Sequence, residues 1–172
     1  MTAPNADYWV DKLGLEPHPE GGFYREVYRA GESVGPAGLP ERFGGPRPFS
    51  TSIYFLLRAG DVSGFHRLKS DEVWHFYEGR PLALHILEGG GRCRTVRLGN
   101  NPALGEAFQA VVPAGFWFGA EVASPEGFSL VGCTLAPGFA FADFELARRA
   151  DLLAEFPAQA GLIRRLTSSS AI

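Results

Sequence analysis

The chain has 172 residues, of which 45 % are hydrophobic and 13 % aromatic, and its formal net charge is −3. This length fits one domain, 1–172, whose core needs neither disulfides nor metal. The charge, without a basic stripe, argues against nucleic-acid binding. Hydrophobic runs fall short of the roughly 18 residues of a membrane span, and the N-terminus lacks the apolar stretch of a secretory signal. We therefore expect a cytoplasmic protein.

The first predicted element is a short helix over residues 6–13. Asn5 suits its N-cap and Gly14 suits the position that ends it. The proline- and glycine-rich segment 16–22 follows, and it is predicted to be a loop with His18 exposed to solvent.

From residue 23 onwards, hydrophobic and polar residues alternate as in β-strands. The loop predicted over 31–48 contains five glycines and four prolines, and it is placed to cover the mouth of a pocket. The predicted strands are 23–29, 51–58, 62–68, 72–77, 82–87, 93–98, 106–112, 116–122 and 128–135. Strands at this spacing, with no helix between them, favour an all-β sandwich or barrel. Two short helices, over 143–156 and 159–166, are expected to pack outside it.

The two cysteines, Cys93 and Cys133, lack the close spacing of a redox or metal motif. We interpret them as two buried free thiols. A disulfide between them is the alternative.

A histidine and a glutamate carry the strongest functional signal. The segment 60–79 reads Gly60-x5-His66-x-Leu68-x3-Glu72-x6-Gly79. It resembles the first motif of the cupin superfamily, G-x5-HxH-x3,4-E-x6-G, except that Leu68 occupies the place of the second histidine.

The second cupin motif, G-x5-P-x-G-x2-H-x3-N, is matched only at Pro113-Ala114-Gly115. Phe118 stands at the histidine position, Val122 at the asparagine position and Ala107 at the leading glycine. Two of the four ligand positions of a metal-binding cupin are therefore occupied by Leu68 and Phe118.

Four longer segments make the resemblance more specific. They look like the uncharacterised cupin family DUF985, typified by a yeast protein of unknown function, and they are 22–26, 53–57, 66–77 and 112–120. The resemblance implies a homodimeric antiparallel double-stranded β-helix, or jelly roll, with a short N-terminal helix and short C-terminal helices. It also implies a structural likeness to dTDP-sugar 3,5-epimerases, and hence an isomerase or a sugar-like ligand.

The residues themselves indicate acid–base chemistry. Side chains two apart on a strand share a face, so His66 can lie inside the barrel with Leu68, and Glu72 with Trp74. If His66 and Glu72 meet inside, burial shifts both pKa values, with His66 shuttling a proton and Glu72 supporting it. The structural alternative is a hydrogen-bonded core pair without chemistry.

No metal cofactor is expected, because neither Leu68 nor Phe118 can donate electrons to a cation. The alternative is a metal held by His66, Glu72 and His75, which needs a β-bulge that turns His75 inward.

Three functions remain open: a metal-independent isomerase, epimerase or lyase with His66 and Glu72 as its acid–base pair, a non-catalytic cupin that binds a small ligand, and a metal-dependent cupin. The expected partners are a small polar or carbohydrate-like molecule and a second copy of the chain, which would cover open strand edges. The candidate substrate-binding residues are His75, Trp74, Trp117, Phe118, Arg67 and Tyr54.

Overall fold

The computed structural model describes residues 4–168. Helix α1 (Ala6–Leu13) forms as predicted, because Tyr8 N–H donates to Asn5 Oδ1 over 2.9 Å. Gly14 ends the helix in the left-handed region, with φ at 61°. None of the helices in this part of the chain is long and apolar enough to cross a membrane.

The remaining regular structure is mostly antiparallel strands, so the all-β prediction is confirmed. They are β1 (Glu16–Pro17), β2 (Phe23–Arg29), β3 (Ser33–Val34), β4 (Arg47–Pro48), β5 (Thr51–Arg58), β6 (Val62–Leu68), β7 (Glu72–Gly79), β8 (Leu82–Glu88), β9 (Arg92–Leu98), β10 (Gln109–Val112), β11 (Trp117–Val122), β12 (Phe128–Leu135) and β13 (Phe144–Leu146). One sheet has the order β1-β2-β5-β12-β7-β10 and the other β13-β6-β11-β8-β9, while β3 and β4 pair separately.

The two sheets face each other across a hydrophobic core. Phe55, Trp74 and Val131 come from the first sheet, and Leu84 and Phe118 come from the second. Alternation along the strands sorts side chains into this core or away from it. In β7, for example, positions 72, 74 and 76 are buried, and 73 and 75 are only half-buried.

The C-terminal region differs from the prediction at its start. Residues 143–146 belong to a 3-10 turn and to β13 instead of a helix, because β13 completes the sheet by pairing with the edge of β6. The helices that follow, α2 (Arg149–Glu155) and α3 (Ala160–Arg165), lie outside the barrel. There Leu152 and Ile163 bury their side chains against Phe65 of β6.

The segment 31–48 does not line the pocket mouth, contrary to expectation. It holds the neighbouring segment 137–144 instead, through a buried ion pair in which Arg47 donates to both carboxylate oxygens of Asp143 over 2.5 and 2.6 Å. Gly138 N–H also donates to the carbonyl of Pro48. Segment 137–144 carries three aromatic residues to the mouth of the pocket described below.

Both cysteines are free thiols, as predicted, but the predicted burial is confirmed only for Cys133 and is wrong for Cys93. Cys133 is buried on β12 and points into the barrel, whereas Cys93 is half-buried on β9. No disulfide therefore contributes to the stability of the fold.

Candidate functional site

A cavity of about 370 Å³ lies inside the barrel, between the first sheet, β6 and the loop after β1. It reaches solvent past Arg29 and Phe141, which are both exposed. Its lining combines an apolar wall with a cluster of ionisable side chains. The lining residues are His18, Glu20, Tyr24, Glu26, Arg29, Thr51, Ile53, Phe55, His66, Leu68, Glu72, Trp74, Cys133, Leu135, Phe139, Ala140, Phe141 and Phe144.

His66 projects from β6 into this cavity and is almost fully buried. Its Nδ1 lies 2.8 Å from the carbonyl oxygen of Gly64, and its Nε2 lies 3.1 Å from Glu20 Oε2. The ring also packs on Phe118, with 4.1 Å between ring centroids. Burial lowers the pKa of His66 to about 4, so the imidazole is neutral at neutral pH.

Glu20 is the carboxyl group that meets His66, and sequence reasoning missed it. Its side chain is 7 % exposed, and Ser63 Oγ donates to Oε1 over 2.6 Å. Burial raises the pKa of Glu20. Since a carbonyl only accepts, the neutral His66 ring carries its proton on Nδ1, and Nε2 holds a lone pair that lies beside Glu20 Oε2.

The predicted meeting of His66 with Glu72 is therefore wrong as a direct pair. Both side chains are buried and line the same cavity, as expected. The imidazole, however, uses one nitrogen for Gly64 and the other for Glu20. The reason is the loop after β1, which brings a second carboxyl group beside the ring.

The carboxyl group of Glu72 lies in the cavity beside the indole N–H of Trp74. Its Oε2 accepts a hydrogen bond from Trp74 Nε1–H over 2.7 Å. Burial, and next the charge of Glu20, raise the pKa of Glu72 to about 8, so this carboxyl is mostly protonated at neutral pH. Its Oε1 has no hydrogen-bond partner within residues 4–168 and is not enclosed by protein, so it faces the cavity.

His18 also lies in the cavity, although the sequence predicted an exposed residue. Only 9 % of its side chain is exposed. The ring packs edge-on against Tyr24, with centroids 4.6 Å apart, and Nδ1 accepts the N–H of Glu20 over 3.2 Å. Burial lowers the pKa of His18, which keeps this imidazole neutral as well.

Two of the predicted substrate-binding residues lie at the site. Trp74 lines the cavity and orients Glu72 through its indole N–H. Phe118 does not reach the cavity surface but packs against the His66 ring from behind.

The other four predicted binding residues do not line this cavity. His75 points outward, where Nε2 lies 3.2 Å from Thr134 Oγ1. The guanidinium of Arg67 stacks over Trp117 on the outside of the second sheet, 4.4 Å from the ring centroid. Tyr54 pairs with a second tyrosine on the outside of the first sheet. Their positions follow from regular strand alternation, which places alternate side chains outside.

A metal ion of the usual cupin kind does not fit the side chains present. Leu68 and Phe118 occupy two ligand positions, and His75 lies outside the barrel, so the alternative set His66, Glu72 and His75 does not converge. Among residues 4–168 there is no group of three His, Cys, Asp or Glu side chains arranged to hold a metal.

A signal for the missed residues is present in the sequence. Gly21 and Gly22 follow Glu20, with φ values of 109° and 73°, and a Cβ on Gly21 would lie 2.1 Å from the carbonyl oxygen of Val62. This pair of glycines lets the loop lie directly against β6. His18 and Glu20 are thereby carried into the barrel.

Two facing antiparallel sheets with a histidine and a glutamate in the interior define a protein of the cupin class. The sequence profile of the cupin superfamily family DUF985 matches residues 7–147. The chain belongs to this family, and the predicted jelly roll is confirmed.

Two solved structures of similar sequence support this assignment. A protein of Shewanella oneidensis is 42 % identical, with 97 % of this chain and 99 % of that chain covered and a TM-score of 0.87. A hypothetical protein from Leishmania major is 35 % identical, with 96 % and 100 % covered and a TM-score of 0.86.

More distant structures share the fold alone. Oxalate decarboxylase from Bacillus subtilis is 17 % identical, with 90 % of this chain and 37 % of that chain covered and a TM-score of 0.54. No curated protein is similar enough to match the chain.

Proposed function

We propose that this cupin is a metal-independent acid–base catalyst, an isomerase, epimerase or lyase, that moves a proton on a small polar or carbohydrate-like molecule inside the barrel. The observation that carries the proposal is that two buried carboxyl groups, Glu20 and Glu72, and the imidazole of His66 line one cavity that also has an apolar wall. Burial moves the pKa values of Glu72 and His66 in opposite directions, to about 8 and about 4. Ionisable groups with such shifts are typical of catalytic sites.

Glu72 is the group that exchanges a proton with the substrate. Its Oε1 faces the cavity, and a pKa of about 8 lets it act as an acid in one step and as a base in the next. His66 Nε2 lies 3.1 Å from Glu20 Oε2, so these two groups are paired behind the site. His66 therefore supports the reaction as a positioning residue. The direct proton transfer, which the sequence analysis assigned to His66, is carried out by Glu72.

Deuterium exchange tests this proposal without a known substrate. A panel of unphosphorylated trioses, pentoses and hexoses is incubated with the protein in D₂O, and incorporation at carbon is followed by ¹H NMR. Wild type is expected to label at least one sugar, and Glu72→Gln, which keeps the shape but cannot take up a proton, is expected to slow labelling by roughly 100-fold or more. Glu121→Gln, on the outer surface, is the matched control.

Two results would end the catalytic proposal. One is the absence of labelling in the whole panel with wild type. The other is equal labelling by wild type and Glu72→Gln.

A non-catalytic ligand-binding cupin is the second candidate. It is favoured by the two nitrogens of His66, of which one contacts the Gly64 carbonyl and the other lies beside the Glu20 carboxyl. The apolar wall formed by Ile53, Phe55 and Leu135 also favours it. Wild-type protein that binds a panel sugar without labelling it would support this function.

We also propose that the protein acts without a bound transition metal. Elemental analysis of protein purified without added metal is expected to give less than about a tenth of an equivalent. A full equivalent of one metal, lost in Glu72→Gln, would contradict this.

We further propose that the chain forms a homodimer. Tyr77 and Val111, on the outside of the first sheet, are each 48 % exposed, and Phe108 beside them is 55 % exposed. A second copy would cover this surface, and Val111→Lys is expected to raise the dimer dissociation constant by about tenfold or more. Wild type that sediments as a monomer at micromolar concentration would contradict the proposal.

A further inference from the structure

We propose that His18 is a second catalytic residue, whose Nε2–H donates a hydrogen bond to a carbonyl oxygen of the substrate. This assigns the substrate to small carbonyl compounds that carry a C–H bond next to the carbonyl. The inference rests on the proposed function, because it takes Glu72 as the group that removes that proton.

The tautomer of His18 follows from its backbone environment. The N–H of Glu20 can only donate, and it lies 3.2 Å from His18 Nδ1, so Nδ1 holds a lone pair. A neutral ring then carries its proton on Nε2. This atom has no hydrogen-bond partner within the described residues and is not enclosed by protein, so it is free to donate to a molecule in the cavity.

The ring of His18 is held firmly although it comes from a loop. It packs edge-on against Tyr24, Phe55 and Phe144, with centroid separations of 4.6, 5.9 and 6.4 Å. These contacts come from three different strands and leave 9 % of the side chain exposed. A donor held in this way needs little reorganisation when charge develops on a substrate oxygen.

His18 and Glu72 are placed to act on one molecule. Both side chains line the cavity of about 370 Å³, and each keeps one polar atom without a partner in the described residues. Glu20 interacts with both residues. Its Oε2 lies 3.7 Å from His18 Nδ1, and its charge raises the pKa of Glu72. A base and a neutral imidazole donor together suit proton removal next to a carbonyl.

The proposed step is balanced without a further reactant. The ionised fraction of Glu72 takes the proton of the C–H bond, and the electron pair of that bond moves to the carbonyl oxygen as an enolate. His18 Nε2–H stabilises the enolate oxygen by its hydrogen bond and keeps its own proton. Return of a proton from Glu72 to the same carbon regenerates the substrate, with solvent hydrogen incorporated once Glu72 has exchanged its proton. In a substrate with a hydroxyl on that carbon, Glu72 instead protonates the former carbonyl carbon while the hydroxyl proton passes to the enolate oxygen, and the product is an isomer.

Binding of glycolohydroxamate, a small mimic of such an enediolate, tests the role of His18 directly. His18→Phe keeps an aromatic ring in the cluster but has no donor, and it is expected to weaken binding by roughly 10- to 100-fold, the range for a hydrogen bond to a charged group. His18→Gln restores an N–H near the position of Nε2 and is expected to recover most of the affinity. His85→Gln, outside the barrel, is the matched control.

Three outcomes would overturn the inference: equal binding to wild type and His18→Phe, no binding to wild type, or a ¹⁵N spectrum in which neutral His18 carries its proton on Nδ1. The spectrum needs no variant, so it decides even if His18→Phe does not fold. If sugar labelling depends on Glu72 but is unchanged in His18→Phe, the proposed function stands and the role of His18 fails. If glycolohydroxamate binding depends on His18 but no sugar is labelled, the catalytic proposal fails and the binding site remains.

Discussion

The pairs His66–Glu20 and His85–Glu121 have nearly the same separation but lie in opposite environments. Inside the barrel, His66 Nε2 lies 3.1 Å from Glu20, while on the outside of the second sheet His85 Nε2 lies 3.3 Å from Glu121. The outer glutamate also accepts hydrogen bonds from Arg165, which lower the pKa of Glu121. Within residues 4–168, the inner glutamate forms no ion pair with an arginine or lysine, and burial raises its pKa.

The comparison shows that an imidazole beside a carboxyl is not by itself an acid–base site. In the outer pair, Arg165 keeps the carboxylate ionised and supplies the charge that balances it, as in an ordinary surface ion pair. In the inner pair, burial favours the neutral form of each group, because it raises the pKa of Glu20 and lowers that of His66. Only the inner pair adjoins a cavity with a second carboxyl group, that of Glu72.

The largest expected effect is on stability at alkaline pH. The pKa of Glu72 is raised from 4.5 to about 8 in the folded state. The contribution of this shift to the free energy of unfolding is therefore fully present below pH 4.5 and is lost as the pH rises through 8. Glu72→Gln is expected to unfold like wild type near pH 4.5 and to be more stable by roughly 3 to 5 kcal/mol at pH 9. Urea denaturation across this range measures the difference, and parallel curves for the two proteins would contradict the raised pKa.

Removal of the two imidazoles should affect stability unequally. His66→Ala deletes a ring packed on Phe118 and leaves the buried Oε2 of Glu20 without the imidazole beside it. The free energy of unfolding is therefore expected to fall by roughly 2 to 4 kcal/mol at pH 7. His85→Ala is expected to cost about 1 kcal/mol, because Glu121 keeps its contacts with Arg165. Equal losses of stability for the two variants, measured by urea denaturation, would show that the inner pair contributes no more to stability than the outer pair.

The smallest expected effect concerns the carboxylate of the outer pair. The pKa of Glu121 is lowered in the folded state, so this carboxylate stabilises the fold at pH values above its unfolded pKa. The stabilisation is lost as the pH falls through the folded pKa, which is the opposite pH dependence to that of Glu72. Because Arg165 is half exposed, Glu121→Gln is expected to cost about 1 kcal/mol or less at pH 7, and less again at high salt. A loss comparable to that of His66→Ala, unaffected by salt, would contradict this interpretation of the outer pair.

Local patterns predicted most of the fold. The limits of α1 follow from its cap residues Asn5 and Gly14, and the long strands follow from alternation. The prediction failed at 143–146, where β13 pairs with an available sheet edge and so overrides a helix-like composition. The edge of β6 is a tertiary feature that no local pattern contains.

The site was predictable only in part, for a similar reason. The motif spacing and strand alternation correctly place His66, Glu72 and Trp74 inside the barrel. His18 and Glu20 lie on a loop, where no periodicity indicates direction, and their burial depends on close contact between the backbone at Gly21 and β6. The glycines after Glu20 indicate a close backbone contact of this loop, but no local pattern identifies Glu20 as the group beside His66.

The protonation state of Glu72 at neutral pH tests the central claim most directly. The infrared difference spectrum between wild type and Glu72→Gln, recorded from pH 5 to pH 10, isolates the carboxyl stretch of this residue. We expect a protonated carboxyl band at pH 7 that disappears with a midpoint of about pH 8. A spectrum that shows only carboxylate at pH 7, with no change as the pH is raised to 10, would contradict it.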